Sequence, residues 1–420
     1  MSDVCLILEG TYPYVTGGVS SWVHNLIRAL PRVRFSLLTI LPTRDTYMEY
    51  KYEVPENVVS ISELYIHETE LSDTKTRGRK SQAFEVLEAF YKGMGNNDYS
   101  LLPEVYRLVM DPDTRVISPE EIFMHPYTWE LVLRWYDSME MEESFIDFFW
   151  TWRYSHLPLF RMCDLKIPKA AVYHSVSTGY GGTAGVLAQI RTGAPYLITE
   201  HGIYTNERRI EIEQASWIYE RKVDRTVITS DISPFKKMWI SLFDELSRLA
   251  YHHADEIITL FENNRKMQIL GGADPKKTRI IANGINLKNF KNRRQRSGFD
   301  QPFRVGFVGR VVPIKDVKTF IRACRIIKDA VPEAIFPVIG PTDEDEEYFE
   351  ECQALVEMMG LADSLDFMGK RDVRIEYPLT DVIVLTSVSE AQPLVILEAN
   401  VCGVPSVATD VGACDELLNG

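Results

Sequence analysis

No stretch of the sequence approaches the ~20 consecutive apolar residues that a membrane-spanning helix requires, so the chain reads as one that does not cross a bilayer. Its first residues, Met1-Ser2-Asp3-Val4-Cys5-Leu6-Ile7-Leu8, carry no basic segment and no cleavage pattern, and read as a strand rather than a targeting signal. Positive charge is in deficit: Lys+Arg 46 against Asp+Glu 60 leaves a net charge of -14. That field repels phosphate chains and argues against a nucleic-acid partner, while leaving room for a local basic pocket. Cysteine is scarce and scattered, with Cys5, Cys163, Cys324, Cys352, Cys402 and Cys414 forming no C-x-x-C pair. Most sit in apolar stretches, which predicts buried free thiols, a reducing compartment and a cytoplasmic protein. There is no G-x-G-x-x-G in the first strand-to-helix loop, and Pro341 follows Gly340 where a further glycine would help, so a nicotinamide cofactor is not expected. No His, Cys and carboxylate group has metal-ligand spacing, so no metal is expected. The glycine-rich run Gly179–Gly185 lacks the Lys-Ser/Thr ending of a P-loop and reads as a loop with close helix packing, open to acceptor contact. Internal repeats and low-complexity tracts are missing too.

What is present is alternation. Short apolar runs interleave with helical patterns, the signature of an α/β protein with parallel sheets. Strands are expected over 3–8, 35–40, 58–61, 170–174, 196–199, 227–229 and 256–259, and again near 303–308, 334–339, 364–367, 381–385 and 405–408. Their unbroken Val, Ile and Leu content suits sheets covered on both faces. A chain of 420 residues favours two domains. The expected division is 1–290 and 303–420, with a polar, basic linker over 291–302 that continues a connector starting at 284. Residues 68–165 break the rhythm with an acidic, aromatic, helical stretch, read as an insertion in the first domain. Within it Ser118-Pro119-Glu120-Glu121 predicts a capped helix start, and Phe145, Phe148, Phe149 and Trp152 follow at helical spacing. Two doubly wound units place ligands beyond the carboxyl ends of their strands, in an expected cleft between the two sheets.

The strongest candidate for chemistry is Ser389-Glu390-Ala391-Gln392-Pro393-Leu394-Val395-Ile396-Leu397-Glu398-Ala399. A strand ends before it, Pro393 suits a first helical turn, and Glu398 falls about one and a half turns into the helix. The helix N-terminus would favour a diphosphate, and the two carboxylates could accept bonds from sugar or ribose hydroxyls. Spacing alone fits acids that merely answer the helix dipole equally well. Arg310 and Lys315, following Gly306-Phe307-Val308-Gly309, fit a diphosphate clamp or solvated surface charges. Gly17 and Gly18, after the first strand, fit a close backbone approach to phosphate or a plain turn. His201, just past the fifth strand, fits a cleft residue or a structural histidine.

The ordered set resembles one family. Glu390 and Glu398, separated by seven residues in a strand–loop–helix context, resemble the E-x7-E motif of retaining GT4 glycosyltransferases of the GT-B fold. Gly309-Arg310 followed by Lys315 resembles that family's G-R-x4-K segment. Asn283-Gly284-Ile285-Asn286 resembles its hinge turn, and Gly17-Gly18 its N-terminal Gly-Gly loop. With the insertion and Glu200-His201-Gly202-Ile203-Tyr204, the whole chain is most similar to the PelF-type branch, which serves Pel exopolysaccharide assembly and is thought to use a UDP-sugar.

The resemblance implies a cytoplasmic hexosyltransferase, peripheral at the inner face of the membrane, that moves a sugar from a nucleotide sugar to a polysaccharide acceptor without metal or other cofactor. It implies that Arg310, Lys315, Gly17 and Gly18 bind the donor diphosphate, that Glu398 holds the ribose, that Glu390 holds donor-sugar hydroxyls, and that His201 lies near the donor sugar. Ala391, Gln392, Pro393 and Leu394 would form the donor loop. Ala391 and Gln392 depart from the glycine and aromatic found in many relatives, so the sugar is left open. The family also implies a further strand and helices beyond Gly420, so the second domain is expected to be truncated. The alternative is a non-catalytic or weakly active nucleotide-sugar-binding subunit of a membrane polysaccharide synthase complex.

Overall fold

The computed structural model describes residues 1–44, 49–68, 80–139, 142–215, 217–218, 232–290 and 302–419. They fall into two compact units, Met1–Thr259 with Lys266–Arg279, and Leu260–Arg265 with Ile280–Gly420. The expected strand at 227–229 and the linker residues 291–301 lie outside the described residues.

The first unit is built on β1 (Ser2–Glu9), β2 (Phe35–Leu41), β3 (Val58–Tyr65), β4 (Ala170–Ser175), β5 (Tyr196–Glu200), β6 (Glu256–Thr259) and β7 (Thr278–Ile280). Their order in the sheet is β3-β2-β1-β4-β5-β6-β7. The pairings of β1 with β2 and β4, of β2 with β3, and of β5 with β4 and β6 are parallel. Every residue of β2 is buried, as a strand covered on both faces demands. The chain runs outward from β1 to β3, then returns to the other side of β1 with β4. The carboxyl ends of β1 and β4 therefore flank the point where winding reverses, the crevice where open α/β sheets hold ligands.

The second unit repeats the plan with β8 (Val305–Val308), β9 (Phe336–Ile339), β10 (Leu365–Gly369), β11 (Val382–Leu385) and β12 (Ser406–Ala408). The order is β10-β9-β8-β11-β12, parallel in the pairs of β8 with β9 and β11, of β9 with β10 and of β11 with β12. Its reversal point lies between β8 and β11. Its core packs Phe307, Phe320, Phe336 and Cys324, all fully buried. All six cysteines are buried free thiols.

Within 68–165 the described residues are helical over Lys80–Met94, Pro119–Met124, Pro126–Ser138 and Phe145–Arg161, with shorter turns between. Ser118 closes a full capping box: its side chain accepts from the Glu121 amide while the Glu121 carboxylate accepts from the Ser118 amide. Phe148 and Trp152 are buried in the same core as Leu187, Ile198 and Phe243 of the sheet-bearing part, whereas Trp150 and Tyr154 remain exposed. Because Ser118 is fully buried, Ser118→Ala is expected to destabilise the first unit by about 1–2 kcal/mol, read as a lower urea midpoint with unchanged slope.

The run Gly179–Gly185 is not a loop. Gly179 precedes the helix Tyr180–Thr192, which contains the other glycines. The reason is proximity: a Cβ on Gly185 would lie 2.1 Å from the Tyr196 ring, and one on Gly179 2.2 Å from the Tyr204 ring. Close helix packing outweighs the helix propensity that glycine lacks.

Candidate active site

In the second unit the loops after β8 and β11 meet at the reversal point. The 3-10 turn Pro313–Lys315 follows β8, and Asp316 caps the helix Val317–Ala330 behind it. Thr386, just past β11, donates its hydroxyl to the carbonyls of Lys315 (3.2 Å) and Asp316 (2.9 Å). The amide of Val388 donates to the carbonyl of Ile314 at 2.9 Å. These bonds lace the two loops and fix where their side chains point.

At their junction the Lys315 ammonium donates to Oε1 of Glu390, and the Ser387 hydroxyl donates to the same oxygen at 2.6 Å. The pair is largely sheltered, with side-chain exposures of 19% for Lys315 and 10% for Glu390. A charge pair in that setting attracts more strongly than in bulk water, yet it still has solvent on one side for a ligand to reach. Two residues chosen for different ends of a donor are thus direct neighbours. Arg310 is different: it is exposed and pairs with Glu344 at 2.7 Å.

Pro393 does not sit in the first helical turn. It lies one residue earlier, in an extended conformation, and the helix spans Leu394–Val401. There its carbonyl accepts from the Ile396 amide at 3.2 Å. Glu398 is the fifth helical residue, and its Oε2 accepts from the Tyr377 hydroxyl at 2.9 Å. Burial raises the Glu398 carboxyl pKa, and the Tyr377 bond offsets part of the shift. The donor-loop residues are anchored by their neighbours. Ala391 packs against Leu260, Phe261 and Ala413, and its carbonyl accepts from the Ala413 amide at 2.8 Å. The Gln392 side chain accepts from the Asn283 amide at 2.6 Å, so the hinge-like turn and this loop are in contact. Leu394 is exposed.

The first unit gathers the remaining candidates. Gly17 precedes the helix Gly18–Ala29, and a Cβ on either glycine would meet open space. No internal crowding explains these glycines. One turn along, the Trp22 ring meets the His201 ring edge-on, with centroids 4.8 Å apart. His201 is buried, and burial lowers its pKa to about 4. The imidazole is therefore neutral near pH 7. Nearby His174, also pushed to about 4 by burial, exchanges a 2.8 Å hydrogen bond with Thr199.

Sequence reasoning gave no role to Glu9, Ser387 or Tyr377, and none to Glu200 beyond its place in the segment before His201. Glu9 ends β1 and accepts from the Tyr204 hydroxyl (2.7 Å), the Ser177 hydroxyl (3.0 Å) and the Gly181 amide (3.0 Å). Glu200, at the end of β5, is 1% exposed. It accepts from Tyr251 (2.6 Å), Gln268 (2.9 Å) and the Tyr204 amide (2.9 Å). Its position before His201 was the available signal, since strand-end carboxylates border the ligand crevice.

Residues 2–276 match a family model described as "Domain of unknown function (DUF3492)", and residues 302–420 match "Glycosyl transferases group 1". Two curated relatives are D-inositol 3-phosphate glycosyltransferases. That of Streptomyces scabiei (strain 87.22) is 31% identical over 33% of this chain and 35% of its own length. That of Streptomyces coelicolor (strain ATCC BAA-471 / A3(2) / M145) is 26% identical over 55% and 52%. The aligned part thus spans about a third to a half of these relatives. Among solved structures, Anabaena HepE in complex with UDP and glucose aligns at TM-score 0.54 and 14% identity, over 99% of this chain and 83% of its own. Sucrose-phosphate synthase from Thermosynechococcus elongatus aligns at TM-score 0.53 and 16% identity, over 98% and 82%. At such identities the likeness establishes the fold, which is GT-B. Through residues 2–276 the chain belongs to the DUF3492 family.

Proposed function

We propose that the protein is a retaining glycosyltransferase of the GT4 type, which transfers a sugar from a nucleotide diphosphate sugar, a UDP-sugar in the first instance, to a growing exopolysaccharide or related acceptor. The observation that carries the reading is the Lys315–Glu390–Ser387 cluster at the reversal point of the second sheet, with Glu398 in the helix that follows. The group 1 match over residues 302–420 supports it. So does the complex of HepE with UDP and glucose, a protein of the same fold.

In this mechanism Lys315 and Arg310 carry the donor diphosphate and stabilise the charge that grows on the leaving phosphate. Glu398 accepts from the ribose hydroxyls. Glu390 accepts from donor-sugar hydroxyls, and the acceptor hydroxyl attacks from the face the nucleotide leaves. Gly17-Gly18 leave backbone amides accessible to phosphate. The neutral His201 imidazole offers a hydrogen bond rather than a positive charge. No metal or other cofactor takes part. We place the enzyme in the cytoplasm, where buried free thiols stay reduced. We place it at the inner membrane face beside a polysaccharide synthase, in the manner of the PelF-type enzymes. Attachment there would be peripheral; among the described residues no helix is long and apolar enough to cross a membrane.

The reading is tested by a turnover and thermal-shift screen of UDP-, GDP- and ADP-sugars, since a ligand that binds only the native state raises its melting temperature. Consumption of donor separates an enzyme from a nucleotide-binding subunit, and a rise in melting temperature without consumption favours the latter. Within the same screen, Lys315→Ala and Arg310→Ala are each expected to weaken nucleotide diphosphate binding by about 1.5–3 kcal/mol, the range of charge-assisted hydrogen bonds. Unchanged affinity in both variants would refute this placement of the phosphates.

A further inference from the structure

A separate cavity of about 220 Å³ opens in the first unit, bordered by Ile203 and the starts or flanks of three helices, Tyr204–Gln214, Pro234–His253 and Glu262–Leu270. It is smaller than the roughly 300–1,000 Å³ of drug-sized ligand pockets, a size that suits one sugar ring rather than a whole nucleotide sugar. Its polar wall comprises Thr205, Asn206, Asp244, Ser247, Arg248 and Tyr251. Ile203, Met267 and Leu270 supply apolar surface.

The deepest polar groups are held in place from behind. The Ser247 hydroxyl lies 2.8 Å from that of Thr178, and the Tyr251 hydroxyl donates to buried Glu200 at 2.6 Å. Such anchoring lowers the ordering cost of binding. The charges are matched locally. Arg248 pairs with Glu245, and Asp244 has Arg209 at 3.9 Å. Among the described residues lining the cavity, the one cation, Arg248, already has a carboxylate partner. Planar carboxylate, amide and guanidinium groups beside aliphatic surface suit a neutral ring with hydroxyls at its edge and C–H bonds on its face.

We propose that this cavity binds a single uncharged hexose residue, either as a free sugar or as the end of a glycan, at a site separate from the Lys315–Glu390 cluster. The inference rests on this cavity alone and stands or falls independently of the donor chemistry. The test uses the 420-residue protein with carbon-13-labelled methionine methyl groups, the Met267 signal being assigned with Met267→Leu. Glucose, galactose and N-acetylglucosamine are the probes, glucose 6-phosphate is the charged control, and maltotriose and cellotriose are the chain ends. At least one neutral sugar is expected to shift the Met267 signal saturably. Asp244→Asn is expected to weaken that binding about tenfold or more through loss of a charge-assisted bond. Leu270→Trp, which alters a side chain that is 80% exposed and so leaves the fold intact, is expected to abolish it by filling the mouth. Tighter binding of either trisaccharide than of glucose assigns the cavity to a glycan end, and weaker or equal binding to a free sugar. The proposal is overturned if no neutral sugar moves the signal, if Leu270→Trp responds like the unaltered protein, or if glucose 6-phosphate binds more tightly than glucose.

Discussion

Glu390→Gln is expected to lower sugar transfer by about a hundredfold or more, the scale seen when a preorganised group that meets developing charge is removed, with little change in nucleotide affinity. Glutamine keeps the shape of the side chain and can still accept the 2.6 Å bond from Ser387. What it loses is the negative charge opposite the Lys315 ammonium. The free enzyme tolerates that loss because Lys315 keeps some solvent. The transition state does not, because the sugar gains positive character as the diphosphate departs and the balance of charge at the cluster then sets the barrier. Glu398→Gln is expected to show the opposite pattern. Its partner in the protein, the Tyr377 hydroxyl, is a donor that a glutamine oxygen can still satisfy. The fold is thus spared, but the ribose loses a charged acceptor, and nucleotide binding should weaken by about 1.5–3 kcal/mol. Calorimetric binding of the nucleotide beside steady-state turnover separates the two effects. Near-normal turnover in Glu390→Gln would remove that residue from the chemistry, and the reverse pattern would exchange the two roles.

The strand framework was legible because these sheets are covered on both faces. β2 is apolar at five of its seven positions from Phe35 to Leu41, and its two hydroxyl residues, Ser36 and Thr39, are buried with the rest. β7 escaped notice because Thr278-Arg279-Ile280 is three residues long and only Thr278 is buried. Short edge strands carry too little pattern to stand out from a loop. Motif residues were legible as residues, but their contacts were not. That Lys315 would touch Glu390 depends on β8 and β11 being neighbours although 75 residues separate the two side chains. Tyr377 reaches Glu398 from a turn before β11, and nothing in its own sequence context marks it. The glycines at 179–185 misled for a related reason. Locally they signal a break in structure, whereas the demand they meet is set by Tyr196 and Tyr204, which come from a later strand and helix. In each case the decisive partner is remote in sequence.

Gly412 is the sharpest instance, and Gly412→Ala is expected to cost the second unit about 3 kcal/mol or more and to abolish donor binding. Its φ of 58° lies in the left-handed region, which costs an alanine roughly 1–2 kcal/mol. The larger cost is contact. A Cβ there would lie 2.2 Å from the Glu390 carbonyl oxygen and 2.4 Å from that of Ala391. Both obstacles are backbone, so no rotamer change relieves them, and overpacking of this kind adds about 1–3 kcal/mol. The strand-end loop cannot simply retreat. The Ala391 carbonyl is held by the Ala413 amide at 2.8 Å, and the Ser387 carbonyl by the Thr409 hydroxyl at 2.7 Å. Any shift that makes room therefore moves the backbone of Glu390 away from Lys315. Gly403→Ala provides the control. Its φ of 74° carries the same conformational cost, but a Cβ there would meet nothing within 4 Å, so a loss of about 1–2 kcal/mol with normal nucleotide binding is expected. Urea unfolding and nucleotide calorimetry on the two variants divide backbone strain from displacement of the loop. If Gly412→Ala binds donor as well as Gly403→Ala does, the position of the Glu390 loop is not what donor binding depends on.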